Sequence, residues 1–394
     1  MDNKMTHVAN FEFYNPTHIV FGAGEEKRLG ELTAKCGKKA LIVTTRGKVK
    51  ELGILGRAQK SLEDAGIAYV TLEGVDPNPR LSTVYEGVKL AKENDVDVVV
   101  AVGGGSVIDC AKCIAYSVFE TEDIWDLFLC KRTSEKGLPI VALLTLTGTG
   151  SEMNTNCVIT NDLLSPPQKF ATHYRHSFPV YSIIDPNLYV TISGWLTACG
   201  MVDTVVHVLE KYFKDFGTTP IQDRLAEGVI LTLIENSYVL DNLDDIDARA
   251  RLAWAATMAL NGLNDAGRGP GNYDGHTIGM VMSAMYDIAH GASLAPVLPA
   301  LMRKRVNQNP AKYAQFAVRV FDIDPSGKSD EEIGLEGACK LVELFKSWGM
   351  PVTLAEQGIP REDLESIADG ALANPEGSYL DKAEVLAVLE DCYQ

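Results

Sequence analysis

An apolar run that ends in three glycines constrains the fold more than any other feature of the sequence. Residues 96–102 read Val-Asp-Val-Val-Val-Ala-Val, and the glycines at 103–105 follow at once. A nearly continuous apolar run is typical of a central strand that is covered on both faces. Ser106, with Asp109 three residues later, predicts a helix capped by Ser106. The segment therefore predicts a strand, a tight glycine turn and a helix, in that order.

This turn has the properties of a phosphate site. Glycines let the backbone turn tightly and approach a ligand closely, and a helix N-terminus offers free N–H groups and a positive dipole. The spacing is neither G-x-G-x-x-G nor a P-loop, so the motif indicates a pyrophosphate cradle without specifying a dinucleotide. A plain glycine turn is the structural alternative. Cys110 and Cys113 form a C-x-x-C pair on the same helix, where packing explains them better than redox or metal chemistry does.

Strand and helix patterns divide the chain into two parts. From residue 11 to 185, short β-branched runs alternate with helical stretches, which is typical of βαβ units and a mainly parallel sheet. The predicted strands are residues 18–21, 40–44, 68–72, 96–102, 140–145 and 180–184, and the predicted helices between them include 49–65 and 81–93. After Asp185-Pro186 the segments 223–236, 246–260 and 334–348 favour helix.

A chain of 394 residues is too long for one compact core. We therefore predict an α/β, Rossmann-like nucleotide-binding domain over residues 1–186 and an all-α domain over 187–394. With no long Gly/Ser/Pro linker between them, the two domains are expected to meet at a cleft, which is a common place for a ligand.

Charge and targeting signals limit the partners. A net charge of -17 and a pI near 4.9 would repel phosphate backbones and anionic lipid, which argues against nucleic acid and membranes as partners. Residues 1–13 lack the pattern of a secretory signal, and no uncharged apolar run reaches about 18 residues. These patterns predict a cytoplasmic protein with eight reduced cysteines, acting on small molecules.

The second half contains candidate metal ligands. Asp203 and His207 are four residues apart in a helical context, so they share a face. His276 and His290 would stand about 21 Å apart on one straight helix, so they can share an ion only if the chain breaks near residues 287–291. One carboxylate and three imidazoles suit Fe²⁺ or Zn²⁺. The alternative is that each histidine is a hydrogen-bonded core residue.

Together these motifs resemble those of the iron-containing (group III) alcohol dehydrogenase family, in particular its bacterial NADPH-dependent butanol dehydrogenase and aldehyde reductase branch. Further matches occur along nearly the whole chain: Asn15-Pro16-Thr17, Phe21-Gly22, Pro77-Asn78-Pro79, Thr149-Gly150-Ser151-Glu152, Asp185-Pro186 and His290-Gly291. The resemblance implies a dehydroquinate synthase-like architecture, a helical metal-binding domain, a catalytic ion that is usually Fe²⁺ and sometimes Zn²⁺, and a homodimer.

The resemblance also assigns site residues. The family's metal ligands fall on Asp203, His207, His276 and His290. Its cofactor contacts fall on Asn78, Gly104, Gly105, Ser106, Thr145, Lys169 and Leu188. The family commonly has a histidine four residues after the third ligand, where this chain has Met280. Met280 would supply an apolar wall of the substrate pocket, or it would simply fill core space.

Charge after the second strand bears on the cofactor. An acidic residue there would bind the ribose hydroxyls and repel a 2′-phosphate. This chain instead has Arg46, Lys48 and Lys50 and no acid over residues 45–50. The pattern favours NADP(H) over NAD(H), unless the three cations are only a solvated helix start.

These observations predict a metal-dependent oxidoreductase that interconverts primary alcohols and aldehydes with NADP(H), with aldehyde reduction as the direction in the cell. One alternative is a lyase of the dehydroquinate synthase type, which needs a cluster of Lys and Arg, whereas the stretch around the metal ligands is poor in these residues. Another is a non-catalytic module that binds a nucleotide or a metal.

Overall fold

The computed structural model describes residues 8–214, 219–268, 273–375 and 380–394. Contacts divide the chain into two compact units. The sheet unit comprises Asn15–Ile192 and Leu243–Thr257, and the helical unit comprises Met1–Tyr14, Ser193–Asn242 and Met258–Gln394. Because each unit takes a segment from the other's half of the sequence, the domain ranges 1–186 and 187–394 remain a prediction.

Eight strands lie in the described part of the sheet unit. They are β1 His18–Phe21, β2 Lys39–Thr44, β3 Ala68–Glu73, β4 Val98–Gly103, β5 Ile140–Leu144, β6 Asn156–Asn161, β7 Gln168–His173 and β8 Tyr181–Ile184. Six of them form a parallel sheet in the order β1-β8-β5-β4-β2-β3, and β6 pairs with β7 in an antiparallel hairpin. Every residue of β4 and β5 is buried, which explains their continuous apolar sequences. The parallel α/β sheet predicted from the sequence is confirmed.

Fifteen α-helices lie in the described residues. They are α1 Leu29–Thr33, α2 Lys48–Glu51, α3 Ile54–Asp64, α4 Leu81–Glu93, α5 Gly105–Ser117, α6 Trp125–Phe128, α7 Gly194–Tyr212, α8 Pro220–Glu235, α9 Ile246–Ala259, α10 Asp274–Tyr286, α11 His290–Arg305, α12 Pro310–Phe321, α13 Asp330–Ser347, α14 Leu364–Leu372 and α15 Lys382–Asp391.

Two local predictions were wrong. The helix predicted over residues 49–65 is two helices, α2 and α3, because Gly53 between them has a φ of 70° in the left-handed region. Ser106 does not cap α5: the helix begins at Gly105, its N-cap is Gly104, and no side chain caps it. The Ser106 hydroxyl donates instead to the carbonyl of Pro77 at 3.5 Å.

The helical unit has a hydrophobic core of its own, to which α10, α11, α14 and α15 contribute. Apolar residues of α10 and α11, such as Met282 and Val297, pack with residues of α14 and α15. Nearly all of α7 from Met201 onward is buried, so it is the central helix of this unit. None of the described helices combines the length and apolar character that a membrane crossing requires.

Candidate functional site

Helix α7 carries three buried polar side chains on one stripe. Asp203, His207 and Glu210 follow one another at i, i+4 and i+7, and each side chain is at most 6% exposed. Ser193 caps the start of this helix, where its hydroxyl oxygen accepts the N–H of Leu196 at 3.3 Å. The rigid helix therefore fixes the spacing of the three groups.

A break in the chain brings His276 and His290 together. Helix α10 ends at Tyr286, Asp287 adopts the left-handed conformation with a φ of 55°, and α11 begins at His290. At the next position, a Cβ added to Gly291 would lie 1.9 Å from the carbonyl oxygen of Cys199 on α7. Only glycine allows the start of α11 to approach α7 this closely. The chain thus reverses in the region where the sequence analysis required a break.

The four predicted ligands lie around one oxygen atom. Oδ1 of Asp203 is 3.5 Å from Nε2 of His207, 3.5 Å from Nε2 of His276 and 3.8 Å from Nε2 of His290. One ligand atom each from Asp203, His276 and His290 lies within 4.8 Å of the others. The three distances from Oδ1 are longer than ordinary hydrogen bonds. They are close to the roughly 3.4 Å that separates two ligand atoms when each lies about 2.1 Å from a tetrahedral ion.

Two buried atoms of this cluster lack hydrogen-bond partners among the described residues. Oδ1 of Asp203 and Nε2 of His276 have no hydrogen-bond partner within the ranges that the structure describes. These residues are only 3% and 8% exposed, so water does not readily replace the missing partners. Buried polar groups are nearly always satisfied, and a carboxylate oxygen and an imidazole nitrogen are ligands for Fe²⁺ or Zn²⁺. The residues present therefore fit a divalent ion.

Protonation of the neighbouring groups is consistent with this fit. Burial lowers the pKa of His207 to about 4, so its imidazole is neutral at pH 7 and its lone pair is available to a metal. Burial, together with the charge of Asp203, raises the pKa of Cys199 to about 12. Cys199 is therefore a neutral thiol in the metal-free protein.

Glu210 is a site residue that the sequence analysis missed. Its Oε2 lies 2.5 Å from Nδ1 of His276, and its Oε1 accepts the N–H groups of Gly275 at 2.6 Å and His276 at 3.3 Å. Although burial opposes it, the Glu210 and Asp203 carboxylates raise the pKa of His276 to about 9. The spacing Asp-x-x-x-His-x-x-Glu on one helix face was the signal that could have revealed it.

The predicted phosphate cradle lies at the carboxyl ends of β4 and β5. The N–H of Thr145 donates to the carbonyl of Gly103 at 2.9 Å, so the glycine turn lies beside the segment that follows β5, which contains Gly148 and Gly150. A Cβ added to Gly105 would lie 2.2 Å from Oγ1 of Thr149, which leaves no room for a larger residue. The first N–H groups of α5, which include those of Gly105 and Ser106, have no intrahelical acceptor. The arrangement fits an anionic group such as a pyrophosphate.

The other predicted cofactor residues belong to the same unit. Lys169 donates to Oδ1 of Asn78 at 2.7 Å, and both side chains are buried. Leu188 is buried just beyond the carboxyl end of β8, and Arg46 is exposed just beyond that of β2. In open parallel sheets, ligands bind at the carboxyl ends of the strands. Met280 is buried in the helical unit, one turn after His276.

The fold and the site together define a class. A parallel sheet with a glycine turn at its carboxyl edge, joined in one chain to helices that bury an Asp and His cluster, defines proteins of dehydroquinate synthase-like architecture. The chain belongs to the iron-containing alcohol dehydrogenase family: residues 16–186 match the model for iron-containing alcohol dehydrogenase, and residues 197–393 match that for the C-terminal part of the Fe-containing family.

Relatives extend over the whole length. The chain is 41% identical to the Bacillus subtilis protein named probable NADH-dependent butanol dehydrogenase 1, over 97% of this chain and 99% of that one. It is 35% identical to the NADPH-dependent aldehyde reductase YqhD of Escherichia coli, over 91% and 92%. The crystal structure of the Thermotoga maritima NADH-dependent butanol dehydrogenase A matches with a TM-score of 0.94 and 39% identity, over 98% and 100%. The family implies a nucleotide cofactor and iron, and the names of the relatives include both NADH and NADPH.

Proposed function

We propose that this protein interconverts primary alcohols and aldehydes with NADP(H), and that aldehyde reduction is its direction in the cell. The observation that carries the proposal is the buried cluster around Oδ1 of Asp203, where two of the atoms have no hydrogen-bond partner among the described residues. The relatives named butanol dehydrogenase and aldehyde reductase support the same chemistry.

In this proposal Asp203, His207, His276 and His290 bind Fe²⁺, or Zn²⁺ in its place. When bound, the ion supplies a Lewis acid for a substrate oxygen, and the nicotinamide supplies or accepts the hydride. The chain's own contribution is to hold one carboxylate and three imidazoles close together in a buried setting, where electrostatic interactions are stronger than in water. Met280, in place of the family's histidine, would offer an apolar surface to the carbon chain of the substrate.

For the cofactor, Gly104, Gly105 and Ser106 would bind the pyrophosphate, with Thr145, Asn78, Lys169 and Leu188 around the rest of the nucleotide. The choice of NADP(H) rests on Arg46. Lys50 is 3.0 Å from Glu73, and Lys48 is 3.8 Å from Glu51, whereas Arg46 makes no ion pair within the described residues. Arg46 is therefore the cation that is available to a 2′-phosphate.

The test is metal analysis of anaerobically purified protein, followed by NADPH and NADH oxidation with a panel of short aldehydes. We expect about one Fe²⁺ or Zn²⁺ per chain and steady NADPH consumption that stops when the metal is chelated. A protein that binds the nucleotide but does not oxidise it with any of the aldehydes would be a lyase of the dehydroquinate synthase type or a binding module, and the proposal would be wrong.

Cytoplasmic location and a homodimer are part of the same proposal. Light scattering on the purified protein would test the dimer, which predicts twice the 42.8 kDa mass of one chain.

A further inference from the structure

Glu210 has contacts that the proposed reaction does not explain. Its side chain is 5% exposed, and both of its carboxylate oxygens face the start of α10. Oε1 accepts two backbone N–H groups, from Gly275 and His276, and Oε2 lies 2.5 Å from the His276 ring. One side chain of α7 is therefore bonded to both the backbone and the imidazole of a residue on another helix.

The backbone contacts replace a missing helix cap. The N-cap residue of α10, Tyr273, makes no side-chain capping bond. The first N–H groups of a helix need an acceptor, and a carboxylate there also interacts favourably with the helix dipole. Glu210 provides that acceptor from α7, the helix that also carries Asp203 and His207. The position of the His276 backbone is thus tied directly to the helix that holds two other ligands.

The ring contact sets which nitrogen of His276 carries the proton. An ionised carboxylate only accepts hydrogen bonds, so Nδ1 must donate its N–H to Oε2. An imidazole that binds a metal must be neutral and has a single N–H, so Nε2 is then the nitrogen with the free lone pair. Nε2 is the atom that lies 3.5 Å from Oδ1 of Asp203 and lacks a hydrogen-bond partner in the described part of the chain.

We propose that Glu210 is the positioning residue of the metal site: it holds His276 as the Nδ1–H tautomer and fixes the start of α10, so that Nε2 faces the ion. Glu210 is not itself a ligand, because both of its oxygens are bonded to residues 275 and 276. This inference rests on the proposed function, since it presupposes that the Asp203 cluster binds a metal.

The test is Co²⁺ binding by the wild-type protein and by Glu210→Gln, measured by visible absorption in competition with a chelator. The amide keeps the size of the side chain but has only one acceptor oxygen for three N–H groups. We expect Co²⁺ affinity to fall about 10–100-fold, the range for loss of a carboxylate that orients a histidine ligand.

The matched control is Glu227→Gln. Glu227 is a buried carboxylate of the same unit that accepts the hydroxyl of Tyr212 at 2.8 Å and pairs with Arg319. Its replacement should lower the thermal midpoint of the metal-free protein and leave Co²⁺ affinity unchanged. If Glu210→Gln behaved in the same way, Glu210 would be merely structural and the inference would be wrong.

A second measurement does not depend on a variant that folds. In Zn²⁺-loaded wild-type protein with ¹⁵N-labelled histidine, NMR should show the His276 proton on Nδ1. A proton on Nε2 would overturn the inference. The two kinds of failure can be told apart. If the wild-type protein binds neither Co²⁺ nor Zn²⁺, the proposed metal function is wrong. If the wild-type protein binds them and Glu210→Gln binds them equally tightly, only the role of Glu210 is wrong.

Discussion

Two buried polar clusters, one in each unit, differ in how their hydrogen bonds are completed. In the sheet unit, Nζ of Lys112 donates to Ser151, Asn154 and the carbonyl of Asn156, so all three of its protons are used. Asp109 accepts from Ser151 through Oδ1 and from the N–H of Val158 through Oδ2. In the helical unit, Oδ1 of Asp203 and Nε2 of His276 are left without such bonds among the described residues.

The difference in hydrogen bonding distinguishes a cluster that stabilises the fold from a cluster that is suited to bind a ligand. The network in the sheet unit connects α5 to β6 and to the segment before β6. Because the polar groups of Asp109 and Lys112 are already hydrogen-bonded there, they are not available to a ligand. A buried cluster that stays incomplete is costly unless something else completes it. The motif residues Asp109 and Lys112 therefore stabilise the fold, although they follow the phosphate cradle directly in sequence. The Asp203 cluster is the one that we propose binds the ion.

The largest effect should follow from Asp203→Ala. Removal of the central oxygen should lower kcat/KM at least ~10³-fold, equivalent to about 4 kcal/mol of lost transition-state stabilisation. The fold should persist, because Oδ1 has no hydrogen bond to lose within the part of the chain that the structure describes. Aldehyde turnover measures the first effect and the circular dichroism spectrum the second. A variant that keeps most of its activity would show that the Asp203 cluster is not the catalytic metal site.

Lys112→Met should act on stability instead. Burial lowers the pKa of Lys112 to about 8, so the side chain is still charged at pH 7, and its loss leaves Asp109 and three acceptors uncompensated. We expect the free energy of unfolding to fall by about 3–5 kcal/mol. Denaturant unfolding measures it, with Lys89→Met as an exposed control on α4. An unchanged midpoint would show that the satisfied network contributes nothing to stability.

Gly291→Ala tests whether close helix packing positions His290. The added methyl group would overlap the carbonyl of Cys199, so α11 must move away from α7. We expect a stability loss of about 1–3 kcal/mol together with weaker Zn²⁺ binding. Gly228 on α8 has open space around its Cβ position, so Gly228→Ala should stabilise the protein by about 0.5–1 kcal/mol and leave Zn²⁺ binding intact. Equal Zn²⁺ affinity in both variants would count against this packing role.

The smallest effect is expected at the nucleotide. Arg46→Ala should raise the KM for NADPH about tenfold, equivalent to about 1.4 kcal/mol, and leave the KM for NADH unchanged. Lys50→Ala removes a cation that is already paired with Glu73 and should change neither value. A parallel rise for both nucleotides in Arg46→Ala would show that the cation does not read the 2′-phosphate.

The sequence predicted the elements whose signal is local. Strand β1 and helix α4 begin and end at the predicted residues, because β-branched runs and a clear 3.6-residue period mark them. The hairpin of β6 and β7 was not predicted, since its strands carry Asn, Gln, Lys and Thr on faces that are not all buried. The cap assigned to Ser106 failed because a preceding glycine already adopts the N-cap position.

For the site, the sequence predicted the residue types and their spacing, but it did not predict how the helices pack around them. The pairing of Asp203 with His207 follows from helix periodicity alone. The approach of His290 depends on Gly291 against α7, and the contact of Glu210 depends on where α10 begins. Both are contacts between helices that are distant along the chain, for which one sequence holds no direct signal.

The three helices that contribute ligands, α7, α10 and α11, come together around Oδ1 of Asp203. An ion bound there would act as a cross-link between α7 and the two helices on either side of Asp287. Bound iron would then stabilise this unit against unfolding, since a metal that binds the native state shifts the unfolding equilibrium by mass action. Protein made in iron-poor cells should accordingly be cut by proteases sooner than protein made in iron-rich cells.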